Sequence, residues 1–142
     1  MGKMIQADTF VGETTILTSG FIQDRDNGNF FLPLNGTNTL TDRIDFTNTF
    51  VAPFNVEIDS IMIKNVSRQN PSVRTVIIEV FKNQRRETSI TAEVQGADRT
   101  GAYINEIDIG IEISALDTVS FLINTDGRIW EQAVFVIALK KT

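Results

Sequence analysis

The chain contains no cysteine and no histidine. Without cysteine there are no disulfides, thiolate metal sites or thiol nucleophiles, so packing or subunit association must hold the fold together. Without histidine, Ser-His-Asp and Cys-His catalysis and imidazole zinc sites are impossible, and most general acid-base solutions near neutral pH go with them. Long apolar runs are missing as well. None approaches the ~20 residues that span a bilayer, and Met1-Gly2-Lys3-Met4-Ile5-Gln6 has no signal-like apolar stretch, so no membrane partner is expected. Positive charge is in short supply: 13 Lys and Arg against 18 Asp and Glu give a formal net charge of -5. That balance opposes binding to a polyanion, which needs clustered cations to release counterions, so no nucleic-acid partner is expected.

The carboxylates are the chemistry that remains. A glycosidase needs two of them about 5 to 9.5 Å apart across a cleft. Most here fall on the outward half of alternating strands, where solvation explains them, and no enzyme activity is expected. Asp24-Arg25-Asp26-Asn27-Gly28 has the flavour of a calcium loop, but its glycine comes one position early and Asn35 stands where the bidentate Glu belongs. No metal or cofactor site is assigned. Asn35-Gly36-Thr37 and Asn65-Val66-Ser67 fit the glycosylation pattern as chance matches.

What the chain does have is apolar residues at a period of two, in segments separated by Asn, Asp, Gly and Pro. Ile44, Phe46 and Phe50 alternate with Asp45, Thr47 and Thr49. Phe54, Val56 and Ile58 share a face, and Ile61 and Ile63 are out of phase with them, which predicts a bulge near Asp59-Ser60. Val73 to Phe81 is apolar on both faces and reads as a central, doubly covered strand. Lys82-Asn83-Gln84 turns the chain into Thr88, Ile90, Ala92 and Val94. The longest alternation, Ile107, Ile109, Ile111 and Ile113, predicts a strand with Gly110 marking a bulge or close backbone approach. Val119 to Ile123 and Ala133 to Leu139 close the set, joined across the turn signal Thr125-Asp126-Gly127.

About eight short strands and no helical stripe mean an antiparallel sandwich or barrel, with 20–142 as the domain and 1–19 as a less regular N-terminal arm. Four residues are candidate ligand or interface contacts: Trp130 and Arg128 near the last turn, and Arg85 and Arg86 at a hairpin tip. Their plain readings are a buried tryptophan and a solvated tip.

Three segments, Phe31-Leu32-Pro33-Leu34-Asn35-Gly36-Thr37, Phe50-Val51-Ala52-Pro53-Phe54 and Val80-Phe81-Lys82-Asn83, resemble jelly-roll virion proteins of tailed bacteriophages. Ile113-Ser114-Ala115-Leu116-Asp117-Thr118-Val119-Ser120-Phe121 is similar to the corresponding strand of trimeric tumour-necrosis-factor and complement-type jelly rolls. The likeness spans roughly residues 30–139 and departs at Leu116-Asp117, where those proteins more often carry Gly before Asp. It implies an antiparallel jelly-roll β-sandwich in a virion, a homotrimer whose partners are itself and the major capsid protein or another virion protein. The role it implies is capsid decoration or cement, with a receptor- or carbohydrate-binding fibre or tail module as the alternative. The surplus of apolar surface on the two-faced strands fits a symmetric subunit interface.

Overall fold

A computed structural model describes residues 14–23, 28–35, 40–66, 75–96, 101–125 and 129–142. Among these the chain is all-β, with no helix and ten strands: β1 (Thr14–Phe21), β2 (Asn29–Phe31), β3 (Phe50–Val51), β4 (Val56–Asn65), β5 (Thr75–Lys82), β6 (Arg85–Glu93), β7 (Tyr103–Glu106), β8 (Ile111–Ile113), β9 (Thr118–Thr125) and β10 (Ala133–Lys141). They form two antiparallel sheets. The first runs β1-β10-β4-β7, with β8 also on β4; the second runs β2-β9-β5-β6, with β3 also on β9.

The sheets face each other across one apolar core, a β-sandwich-like arrangement. The first sheet contributes Ile58, Ile61, Ile63, Phe135 and Ile137, and the second contributes Phe30, Ile78, Val80, Phe121 and Ile123. Phe21 links the layers, its ring 5.2 Å from that of Phe30 and 6.2 Å from that of Phe135. Offset, tilted aromatic pairs of this kind add to the burial itself.

Local sequence explains the turns. Asn83 and Gln84 join β5 to β6 with φ of 53° and 69°, the two positive angles of a type I′ turn whose twist suits a hairpin. In β4, Val56 and Ile58 point inward and so do Ile61 and Ile63, while the β10 register shifts between Ala138 and Leu139. This is the bulge expected at Asp59-Ser60: one extra residue lets both apolar pairs reach the core.

Other expectations are corrected. The isoleucine run from Ile107 to Ile113 is not one strand. Asp108 and Gly110 adopt φ of 54° and 73°, so the chain leaves the sheet after Glu106 and rejoins it at Ile111, leaving Ile107 exposed. Ile109 N and Gly110 N still bond to Asp59 O and Ile58 O at 3.0 Å. Gly110 is there for its positive φ, since a Cβ would meet nothing within 4 Å. Ile44 to Thr49 is likewise not a strand, and Phe46 is exposed. Asp45 accepts the Thr47 N–H at 2.8 Å, and Asn48 accepts the Asp45 N–H at 3.1 Å and donates to Arg43 O at 2.8 Å. These local side-chain bonds outcompete a ladder.

Residues 14–19, grouped by the sequence with an arm, belong to β1, which pairs with β10 from Thr14↔Lys140 to Phe21↔Ala133. Residues 1–13 lie outside the described residues, as do Asp24 to Asn27 and the turn at Asp126-Gly127. The two-faced β5 lies between β9 and β6 as expected, but its outer face is only partly covered. Phe81 meets the buried Phe31, ring centroids 5.5 Å apart, whereas Ile77 is open to solvent.

Candidate interaction surface

The two ends of the sandwich are built differently. At one end β9 finishes at Thr125 beside Gln23 and Trp130; at the other it starts at Thr118 beside the β5–β6 hairpin. The seven residue steps between them span about 23 Å.

Gln23 organises the first end. Its side chain is fully buried. Its Oε1 accepts the backbone N–H of both Ile129 and Trp130 at 3.0 Å, and its Nε2 donates to Thr125 Oγ1 at 3.0 Å. Gln23 N in turn donates to Trp130 O at 2.8 Å. Residues 129–130 are outside any strand, so these bonds replace the ladder that such backbone groups require. Asn65, also fully buried, donates through Nδ2 to Ile129 O. A folded Asn65 is therefore closed to any glycan. Among the described residues, two buried polar atoms here find no partner, Asn65 Oδ1 and Trp130 Nε1.

This corrects the reading of Trp130 as a ligand or interface contact. It is 0% exposed, because its ring fills the end of the core and its backbone is pinned by Gln23. A sugar-stacking surface needs an aromatic face in solvent, so the fibre-module alternative loses its one tryptophan. Arg128 lies outside the described residues. Arg85 and Arg86 are exposed on β6 next to the hairpin at the opposite end. Trp130 and the Arg85–Arg86 pair therefore do not converge. Arg86 approaches Glu79 at 3.6 Å and Lys82 approaches Glu87 at 3.8 Å, each pair joining one exposed and one half-buried partner, and surface pairs of this kind contribute little.

The hairpin end is a rigid, apolar-tipped turn. Asp117 N donates to Ser114 O at 3.0 Å, Leu116 N to Ala52 O at 2.7 Å and Ala52 N to Asp117 O at 3.0 Å. Asn55 Oδ1 accepts the Ala115 N–H at 2.8 Å. The Asn83 amide donates to Asp117 Oδ1, and the Ser114 N–H to Oδ2, both at 3.0 Å. These bonds, the Asn83 one first, hold the Asp117 carboxyl below its ordinary value, with Lys82 adding to the effect. Asp45 is lowered in the same way, first by the Thr47 hydroxyl and then by its N–H. Both carboxylates act as turn caps.

Leu116 sits at φ 73° and is 79% exposed. Such a left-handed position suits Gly, and here a leucine occupies it.

A larger apolar surface lies on the outer face of the first sheet. The register aligns Ile16 with Ala138, Thr18 with Val136 and Gly20 with Val134, and β10 in turn aligns Val136 with Met62 and Ala138 with Ser60. None of these eight residues carries a charge. Ile16 is 57% exposed, Val134 45% and Met62 38%. Lys64, whose Nζ lies 5.1 Å from the centre of the Tyr103 ring, marks one border. The sequence signal for this surface was the two-faced pattern of Ala133 to Leu139.

Among the described residues no group of three or more acidic side chains is placed to hold a metal ion. Compared with models of known protein families and with curated proteins, the chain matches none.

Proposed function

We propose that the chain is a bacteriophage structural protein, a decoration or cement protein that binds and stabilises the capsid shell as a homotrimer on a jelly-roll frame. The observation that carries this reading is the uncharged central patch on the outer face of the first sheet, bounded by Lys64 at one end and by Lys140 and Glu57 at the other. A chain of net charge -5 repels its own copies at most approaches, and this face offers association without a charge to desolvate.

The strand order supports the jelly roll. β2 and β3 share one side of β9, and β7 and β8 share one side of β4. Counting each pair as one strand leaves the orders 1-8-3-6 and 2-7-4-5, the interleaving that two Greek keys generate. Three copies joined in this way present three attachment points to the shell, and the second and third engage at high effective concentration.

The test is the mass in solution together with shell binding. A trimer has three times the 15.9 kDa of one chain, and it co-sediments with shells assembled from the phage's own capsid protein. Val136→Lys with Met62→Lys is expected to reduce the mass and release the shells. A wild-type mass of one chain at high concentration, with no co-sedimentation, refutes the reading.

A further inference from the structure

An exposed strand edge is a template for pairing, and proteins ordinarily blunt such edges with charge, brevity, interruption or cover. Three of the four edges in this sandwich are blunted. β6 carries Arg85, Arg86, Glu87 and Glu93. The β7–β8 edge is interrupted at residues 107–110 and bears Glu106 and Glu112. β2 and β3 are three and two residues long, and Phe31 N is already bonded to Thr41 O at 2.9 Å.

The fourth edge is different. β1 reads Thr-Thr-Ile-Leu-Thr-Ser-Gly-Phe over eight residues, with no charge, no proline and no bulge against β10. Among the described residues, β10 is the only strand that pairs with it.

From this contrast we infer that β1 pairs antiparallel with β1 of a second copy across a two-fold axis, joining two first sheets into one continuous sheet. The strand is complementary to itself. With the axis through Leu17, Thr15 faces Ser19 and Ile16 faces Thr18, combining hydroxyl pairs with β-branched pairs. Charge also favours a second copy: the approach of two chains of net charge -5 is least opposed where neither brings a charged side chain. The uncharged outer face continues across the junction from β10 to β10. This pairing does not depend on the trimer, which uses the face of the sheet and not its edge.

Light scattering and hydrogen exchange on the full chain test the pairing. A pair alone has twice the 15.9 kDa of one chain, and a pair of trimers has six times it. Ile16→Lys with Thr18→Lys, at exposed positions of β1 that also belong to the outer face, is expected to abolish the two-fold contact and the concentration dependence of β1 exchange, whereas Val136→Lys with Met62→Lys is expected to remove the trimer and leave a mass of two chains. Val136→Lys, one strand inward, is expected to leave the two-fold contact in place. Every second β1 amide is expected to exchange at least tenfold more slowly at high protein concentration than at low. A mass of one or three chains refutes the pairing, as does exchange of β1 that ignores concentration. Concentration-independent protection that disappears on removal of residues 1–10 assigns the edge to the chain's own N-terminal segment and overturns the proposal.

Discussion

Replacing Gln23 tests whether one side chain holds the Trp130 end of the sandwich. Gln23→Leu keeps most of the volume and removes every polar atom. It leaves the Ile129 and Trp130 N–H groups and the Thr125 hydroxyl without the bonds that Gln23 makes to them. Each buried group stripped of its partner costs about 1–3 kcal/mol. Two buried amides alone put the loss at about 3–4 kcal/mol, a large share of the ~5–15 kcal/mol by which a domain is stable. With a urea slope of about 2 kcal/mol/M, the unfolding midpoint is expected to fall by about 1.5–2 M. The assay is convenient because Trp130 is the only tryptophan and lies at the altered site, so its fluorescence reports both global unfolding and any local loosening beforehand. A midpoint within about 0.3 M of the parent, with an unchanged emission maximum, would show that residues 129–130 do not depend on this amide.

Leu116→Gly relieves a left-handed leucine that buries little. A gain of about 0.5–1 kcal/mol is expected after the flexibility of glycine in the unfolded chain is subtracted, read as a higher melting temperature. Gln84→Gly, at the second positive φ of the β5–β6 turn, is expected to act in the same direction by a similar amount, about 0.5 kcal/mol or more. Ile63→Ala, at a fully buried core position, is expected to cost about 2–5 kcal/mol in a denaturant titration. Asp45 and Asp117 have folded-state carboxyls held below the ordinary 3.8. Their contribution is present above the unfolded value and is lost as pH falls through the lower folded value. Thermal melts are expected to weaken in acid below about pH 4, and Asp45→Asn with Asp117→Asn is expected to flatten that slope.

The sequence was legible where alternation and turn chemistry agree. The phase slip between Ile58 and Ile61 announces the β4 bulge, and Asn83-Gln84 announces the hairpin, because each follows from local backbone geometry. It misled where a polar side chain had a local alternative to the ladder. Asp45 and Asn48 wrap their own backbone, and Asp108 with Gly110 breaks the isoleucine run. Of the candidate contacts, Trp130 is placed by a glutamine 107 residues away in sequence. No periodicity reports a bond of that range. The β1 edge was hidden for a similar reason: being an edge depends on which strands fail to arrive beside it.

The position of the last strands governs how the chain comes off the ribosome. β10 lies between β1 and β4, and β9 lies between β2 and β5. Until residues 118–141 have emerged, β1 and β2 have no neighbouring strand in their sheets among the described residues, and only pairings such as β5 with β6 are available. Neither sheet can therefore close until those residues are available, and closure brings together segments distant in sequence, a slow kind of search. Throughout that interval the uncharged β1 waits with both of its edges bare. Crowded expression is the condition that turns such a wait into aggregation, and loss of even the final strand would leave the first permanently without its neighbour.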